Sequence, residues 1–134
     1  MTLHVELVVP DREVWSGSAR MVVAKTLDGD IGVLSSHPSV LGILAEGSVI
    51  RILDPETSGD SAATSGELKA AVSNGFLSVS DDRVSILARN AELGGDVDKA
   101  AARAALEEAS AASGDESAEA RWARARLRAA GEQA

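Results

Sequence analysis

Cysteine is absent from the 134 residues, so neither a disulfide nor a thiolate metal site can form in this chain. Aromatic residues are almost absent: Trp15, Phe76 and Trp122 are the whole set, and there is no tyrosine. A stacking platform for single-stranded nucleic acid is thereby excluded, and the core must be built from Val, Leu, Ile and Ala. Histidine occurs only at His4 and His37, too few for a multi-histidine metal centre. Positive charge is in deficit, with 13 Lys and Arg against 21 Asp and Glu and a net charge of −8. That balance lacks the clustered positive field that nucleic-acid phosphates need. No apolar run approaches the roughly 18 residues that span a bilayer. The opening "MTLHVELVVP" has neither the basic lead nor the small-residue cleavage site of a signal peptide. The expectation is a soluble intracellular protein that meets a membrane only through a partner.

What is present divides into two halves with different periods. Apolar residues make up 45% of the chain, and a domain near this size buries roughly two thirds of its unfolded surface. From Thr2 to about Arg89 the pattern alternates with period two between Gly, Pro, Ser and Asp breaks. "LHVELVV" sets Leu3, Val5, Leu7 and Val9 on one face; "ARMVVAK" and "GSVIRIL" are further short strands. "GFLSVSDDRVSIL" predicts a hairpin turning at Asp81-Asp82. It pairs Val79 with Val84 and Leu77 with Ile86 on one face, and Ser78 with Ser85 and Phe76 with Leu87 on the other. Short strands at this spacing predict an antiparallel sandwich or barrel. "DPETSGDSAATSG", Asp54 to Gly66, is too polar and small to pack and is expected to be a mobile loop between strands.

After Asn90 the chain turns Ala-rich and helical. "DVDKAAARAALEEASAA" starts beside Asp96 and Asp98 and breaks at Ser113-Gly114. "DESAEARWARARLRAA" is a second helix, acidic at its start, basic at its end and closed by Gly131. Helices of about 15 residues are marginal alone in water, so this pair must pack on each other, on the strands or on a partner. On the second helix Ala120, Ala123, Leu127 and Ala130 form a thin apolar stripe, and Arg121, Arg124 and Arg128 a basic one. Trp15 is expected in the core, and Trp122 where it anchors the helix.

Two features invite a functional reading. "DGDIGVLSSHPSVLGIL", Asp28 to Leu44, carries His37 beside Pro38 on a Ser-rich kink. Ser35 and Ser36 with His37 and Asp30 have the composition of a hydrolase triad, but no G-x-S-x-G elbow is present. Serines in turns ordinarily serve local backbone hydrogen bonds, so no catalytic residue is assigned. The four arginines between Arg121 and Arg128 suit either a solvated helix end or an acidic protein surface, since the guanidinium fork fits carboxylates.

Together "VELVVPDREVWSG", "DGDIGVLSSHPSVLGIL", "VSNGFLSVSDDRVSILARNAE" and "DVDKAAARAAL", in this order, resemble the epsilon subunit of bacterial F-type ATP synthases over nearly the whole chain. The resemblance implies a β-sandwich of about ten strands at 1–90 and an α-helical hairpin at 91–134. It implies a non-catalytic rotor subunit of the proton-translocating synthase on the cytoplasmic face of the bacterial plasma membrane. The sandwich would clamp the gamma subunit and rest on the ring of c subunits, with Asp28, Asp30, Ser36 and His37 facing that ring. The hairpin would extend towards the alpha and beta subunits and restrain hydrolysis through Arg121, Arg124, Arg126 and Arg128. Members that bind ATP do so through Ile/Leu-Asp-x-x-Arg-Ala on the hairpin. Here Val97 and Asp98 fit, but Ala101 stands at the arginine place, Ala102 follows it, and Arg103 comes two residues late. The expectation is weak or absent ATP binding, with Asp98 the nucleotide-site candidate of an incomplete motif. The loop departs too: Ser35 takes the place of a proline that family members commonly carry two residues before the histidine. Residue patterns without the resemblance leave a second reading, an acidic β-sandwich adaptor or small-ligand module with a helical tail.

Overall fold

A computed structural model of the chain describes residues 2–57 and 66–132. Its strands are β1 (Leu3–Val9), β2 (Arg12–Ala19), β3 (Met21–Thr26), β4 (Gly29–Leu34), β5 (Val40–Ile43), β6 (Ser48–Leu53), β7 (Glu56–Thr57), β8 (Glu67–Ser80) and β9 (Arg83–Leu93). A short 3-10 helix at Gly94–Asp96 leads into α1 (Lys99–Ser113) and α2 (Ala118–Ala129). Among the described residues there are nine strands, close to the expected ten, and they fold as a two-layer sandwich followed by a helical hairpin.

One strand builds both layers. Residues Glu67 to Val72 of β8 pair with β6, which continues to β3 and β4. Residues Phe76 to Val79 of the same strand pair with β5, while β9 follows β8 along most of its length. The change of layer falls at Asn74, held at φ 55, and at Gly75, where a Cβ would overlap the carbonyl oxygen of Leu87. Only glycine admits that approach of two backbones. Between the layers Val22, Val33, Ile50, Ile52 and Val72 meet Leu3, Val5, Leu7, Leu77, Val79, Val84 and Ile86, with Trp15 at the margin. Arg51 and Glu67 close the exposed side of β6 and β8 through two contacts of 3.0 Å. That hydrogen bonding holds the Glu67 carboxyl below its ordinary value of 4.5.

The hairpin at Asp81-Asp82 has the expected register, from Phe76↔Leu87 to Val79↔Val84. Both turn residues sit at positive φ, 51 and 61, the geometry that matches strand twist in a two-residue turn. Three expectations need correction. The sheet is not wholly antiparallel: β1 runs parallel to β9, with Val5 opposite Val84 and Leu7 opposite Ile86. No turn joins these two strands, so closure of the sandwich and not a hairpin sets their direction. Val9 is only half-buried, because β1 shifts register against β2 between Leu7 and Val8, leaving Val14 as the extra bulge residue. Within the segment expected to be a loop, Glu56–Thr57 pairs with β2 and Asp54 accepts a bond from Arg20 Nε at 2.7 Å. Residues 58–65 of that segment lie outside the described residues.

α1 is bounded where the sequence places its ends, whereas α2 starts at Ala118 and not at Asp115. Asp98 Oδ1 accepts from the amide of Ala101, and Gly114 closes α1 at φ 92. Ser117 caps α2, with Glu119 in its first turn and Arg126 and Arg128 in its last.

Candidate functional site

The residues expected to face the c-ring divide between the two ends of β4, an edge strand. Asp28 lies in the turn between β3 and β4, and Asp30 opens β4 opposite Lys25; both are exposed. Ser36 and His37 follow the other end of the strand, about 17 Å away at the usual rise per residue. They form two separate points and not one cluster. Ser36 sits at φ 68, which a non-glycine residue holds only under constraint. The constraint is Asp82: its carboxylate accepts from the Ser36 amide at 2.6 Å and from the Ser35 hydroxyl at 3.3 Å. His37 Nδ1 lies 2.7 Å from the Pro38 carbonyl. The serines are thus bound to the β8–β9 turn, and Asp30 is a strand's length away, an arrangement unlike a triad. Asp82 reads in the sequence as a turn residue alone, and nothing local signals its second task.

A second surface lies on the outer face of the other layer. Ile43 pairs with Phe76, Phe76 with Leu87 and Leu87 with Val8. These four lie in one row across β5, β8, β9 and β1. Ile43, Phe76 and Leu87 are 61%, 43% and 39% exposed, and Leu41, two residues from Ile43, is 70% exposed. Contiguous apolar surface of this kind marks a docking face. The outward pairing of Phe76 with Leu87 was legible in the sequence, and its continuation into Ile43 and Val8 was not.

The third element is the helical arm. α2 is wedged between α1 and the outer face of β6 and β8. Ala125, Ala129 and Trp122 pack on Ala71 and Val49, while Ala120, Ala123 and Leu127 are buried on another side of the helix. Trp122 is the expected anchor. The apolar stripe differs from expectation at its end, where Ala130 is the half-exposed C-cap. Arg121, Arg124 and Arg128 line a groove of about 630 Å³ that also presents Lys25, Asp30 and Glu46. Arg121 bonds Glu116 at 3.0 Å, and Arg124 donates to the Asp115 carbonyl at 3.1 Å. Arg126 is not on that face. At 100° per residue it lies roughly half a turn from Arg124, and its Nε meets Glu92 Oε1 at 2.6 Å. Helical spacing already left Arg126 off the stripe of the other three, but its partner Glu92 was not visible, because nothing in the sequence shows which sides of α2 are covered.

On α1, Asp98 is engaged as the N-cap, Ala101 is exposed and Arg103 reaches Glu132. Among the described residues no group of three or more His, Cys, Asp or Glu is arranged to hold a metal ion, and no helix is long and apolar enough to cross a membrane.

Comparison with known proteins gives a consistent result. Residues 2–94 match the family model for the β-sandwich domain of the ATP synthase delta/epsilon chain. The ATP synthase epsilon chain of Thermobifida fusca is 52% identical over 128 residues, covering 94% of this chain and 88% of that protein. The ATP synthase epsilon chain of Streptomyces avermitilis is 48% identical over 128 residues, with 95% and 94% covered. A cryo-EM structure of the Euglena gracilis mitochondrial ATP synthase, containing OSCP, F1 and the c-ring, includes a chain that superposes with a TM-score of 0.64. Identity to that chain is 25%, covering 94% of this chain and 75% of that one. With β-sandwich and helical hairpin matched over nearly their full length, the chain belongs to the ATP synthase epsilon-chain family.

Proposed function

We propose that this protein is a non-catalytic rotor subunit of a bacterial F-type ATP synthase, seated on the cytoplasmic face of the plasma membrane through its complex. The observation that carries this reading is the apolar row Ile43, Phe76, Leu87 and Val8 across four adjacent strands. A row of that width needs a broad protein partner, and gamma is the partner that must turn with this subunit. Asp28 and Asp30 at one end of β4, and Ser36 and His37 at the other, are two polar points for the c-ring. Asp82 keeps the second of them rigid. Rotation then passes from ring to gamma through a sandwich whose core is close-packed and resists shear.

The arm is the regulatory part. In the docked form described here its arginine face lines a groove beside the sandwich. Once extended, the same face meets the alpha and beta subunits and restrains hydrolysis. The test uses catalytic complex depleted of this subunit, restored with the full chain or with a version ending at Asp96. That cut keeps the β8–β9 pairs Ala70↔Leu93 and Ala71↔Glu92. Both forms are expected to bind, with faster ATP hydrolysis for the shorter one. Equal rates with binding intact would remove the brake, and failure of both to bind would remove the rotor assignment.

ATP is expected to bind the arm weakly or not at all. Asp98 is occupied as a helix cap, and the position an arginine fills in ATP-binding members is Ala101. Calorimetry on the isolated chain checks this, and micromolar affinity would contradict it.

A further inference from the structure

The contacts beneath α2 are few and small. Ala71, Ala125 and Ala129 are its fully buried members, with Val49 and Trp122 beside them. Alanine buries little area, so a single partly buried ring, Trp122, carries most of the apolar hold on the arm. Two other features sit at the same place. Glu92 on β9 is the cross-strand partner of Ala71, and its carboxylate meets Arg126 Nε at 2.6 Å. With side chains 19% and 29% exposed, it is the least exposed ion pair among the described residues. Two residues on, Gly94 lies directly under the end of α2. A Cβ there would overlap the carbonyl oxygen of Ala129 and come within 2.7 Å of its carbonyl carbon. Gly47 plays the same part at the other end of the helix, where a Cβ would stand 2.7 Å from the Arg121 carbonyl carbon. Gly47 also has φ +60, whereas Gly94 is not among the residues with positive φ. The sandwich itself therefore gives no reason for glycine at 94; the docked helix does.

We infer that Glu92, Arg126 and Gly94 form a latch that holds the arm on the sandwich, so that weakening it extends the arm and lowers ATP hydrolysis. Arg126 then acts with the opposite sign to Arg121, Arg124 and Arg128. Its guanidinium keeps the arm in, and theirs engage the catalytic subunits once it is out. The second half of this inference rests on the rotor-and-brake reading above; the latch itself does not. α1 adds little hold of its own, since Ala102 is its one fully buried residue.

The experiment compares full-length Gly94→Ala and Arg126→Ala with the unaltered chain by hydrogen exchange, then in the assembled synthase by steady-state hydrolysis. Released helices of this length are marginal in water, so amides of α2 should lose protection about tenfold or more. Amides of Val84 and Ile86 in the sandwich should stay as they were. Trp122 emission should shift to the red as its ring leaves Ala71 and Val49. The charge-exchanged pair Arg126→Glu with Glu92→Arg should recover part of the protection. Arg126 sits on the arm, so its truncation leaves the sandwich contacts intact and keeps the test valid if Gly94→Ala misfolds. Unchanged α2 protection in Arg126→Ala would overturn the latch, whatever the enzyme does. Lost protection together with lower hydrolysis supports both halves. Lost protection with unchanged or faster hydrolysis would keep the latch and overturn the brake.

Discussion

Alanine at Arg121, Arg124 and Arg128 together is expected to speed ATP hydrolysis by the assembled enzyme. The three side chains project from one side of α2 and line one groove, so an extended arm carries them to its target as a unit. Arginine–carboxylate contacts at a protein surface contribute about 0.2–1 kcal/mol each. Three of them shift the balance between restrained and unrestrained enzyme by roughly three- to a hundredfold. Steady-state hydrolysis measured at low and high salt separates the charge effect from loss of binding. The unaltered enzyme should approach the triple variant as salt rises, because exposed pairs are screened. An unchanged rate at low salt would sink the idea that this face restrains the motor. Arg126 must be left intact in this experiment. Its partner is Glu92 within the same chain, and truncating it moves the arm in the opposite direction.

The largest stability effect should come from Gly75→Ala. A methyl group there would overlap the Leu87 carbonyl oxygen and lie 2.7 Å from the Ala88 Cα, both backbone atoms of β9. Backbone cannot swing aside as a flexible side chain can, so β8 and β9 must separate where the two layers join. Overpacking of this kind costs on the order of 3 kcal/mol. At about 5 °C per kcal/mol for a domain of this size, thermal unfolding should begin near 15 °C lower. Calorimetric melting of the isolated chain checks the value. Gly95→Ala is the control, since nothing lies within 4 Å of a Cβ there. Equal melting temperatures for the two variants would mean the approach of β8 to β9 relaxes at little cost.

The Asp81-Asp82 turn shows what was legible locally. Four cross-strand pairs could be assigned from alternation and turn chemistry alone, because strand period and turn conformation depend on neighbours a few residues apart. The ends of α1 were legible for the same reason, and the Ser117 cap of α2, though not among the expected ends, is equally local. Asp98, Ser117 and Gly114 act on amides and carbonyls within four residues of themselves. The family resemblance added the order of elements and the kinds of partner.

The sites were less legible because they are made across distance. Asp82 holds the Ser36 amide from 46 residues away, and Arg126 meets Glu92 from 34 residues away. Gly94 has no reason to be glycine until α2 lies on it. The family resemblance groups four arginines in one contact, yet helix rotation combined with two covered sides sends Arg126 to Glu92.

The sequence by itself determined strands β1, β3, β6 and β9 and the hairpin half of β8, the hairpin register, two helices, and an acidic chain with no cysteine. Each of these follows from backbone preferences and side-chain period over a short window. Tertiary structure alone decided the parallel pairing of β1 with β9, the sharing of β8 between layers, the apolar row across four strands and what each face of α2 meets. These depend on which surfaces remain uncovered once the layers and the arm have packed, and no local window contains that information.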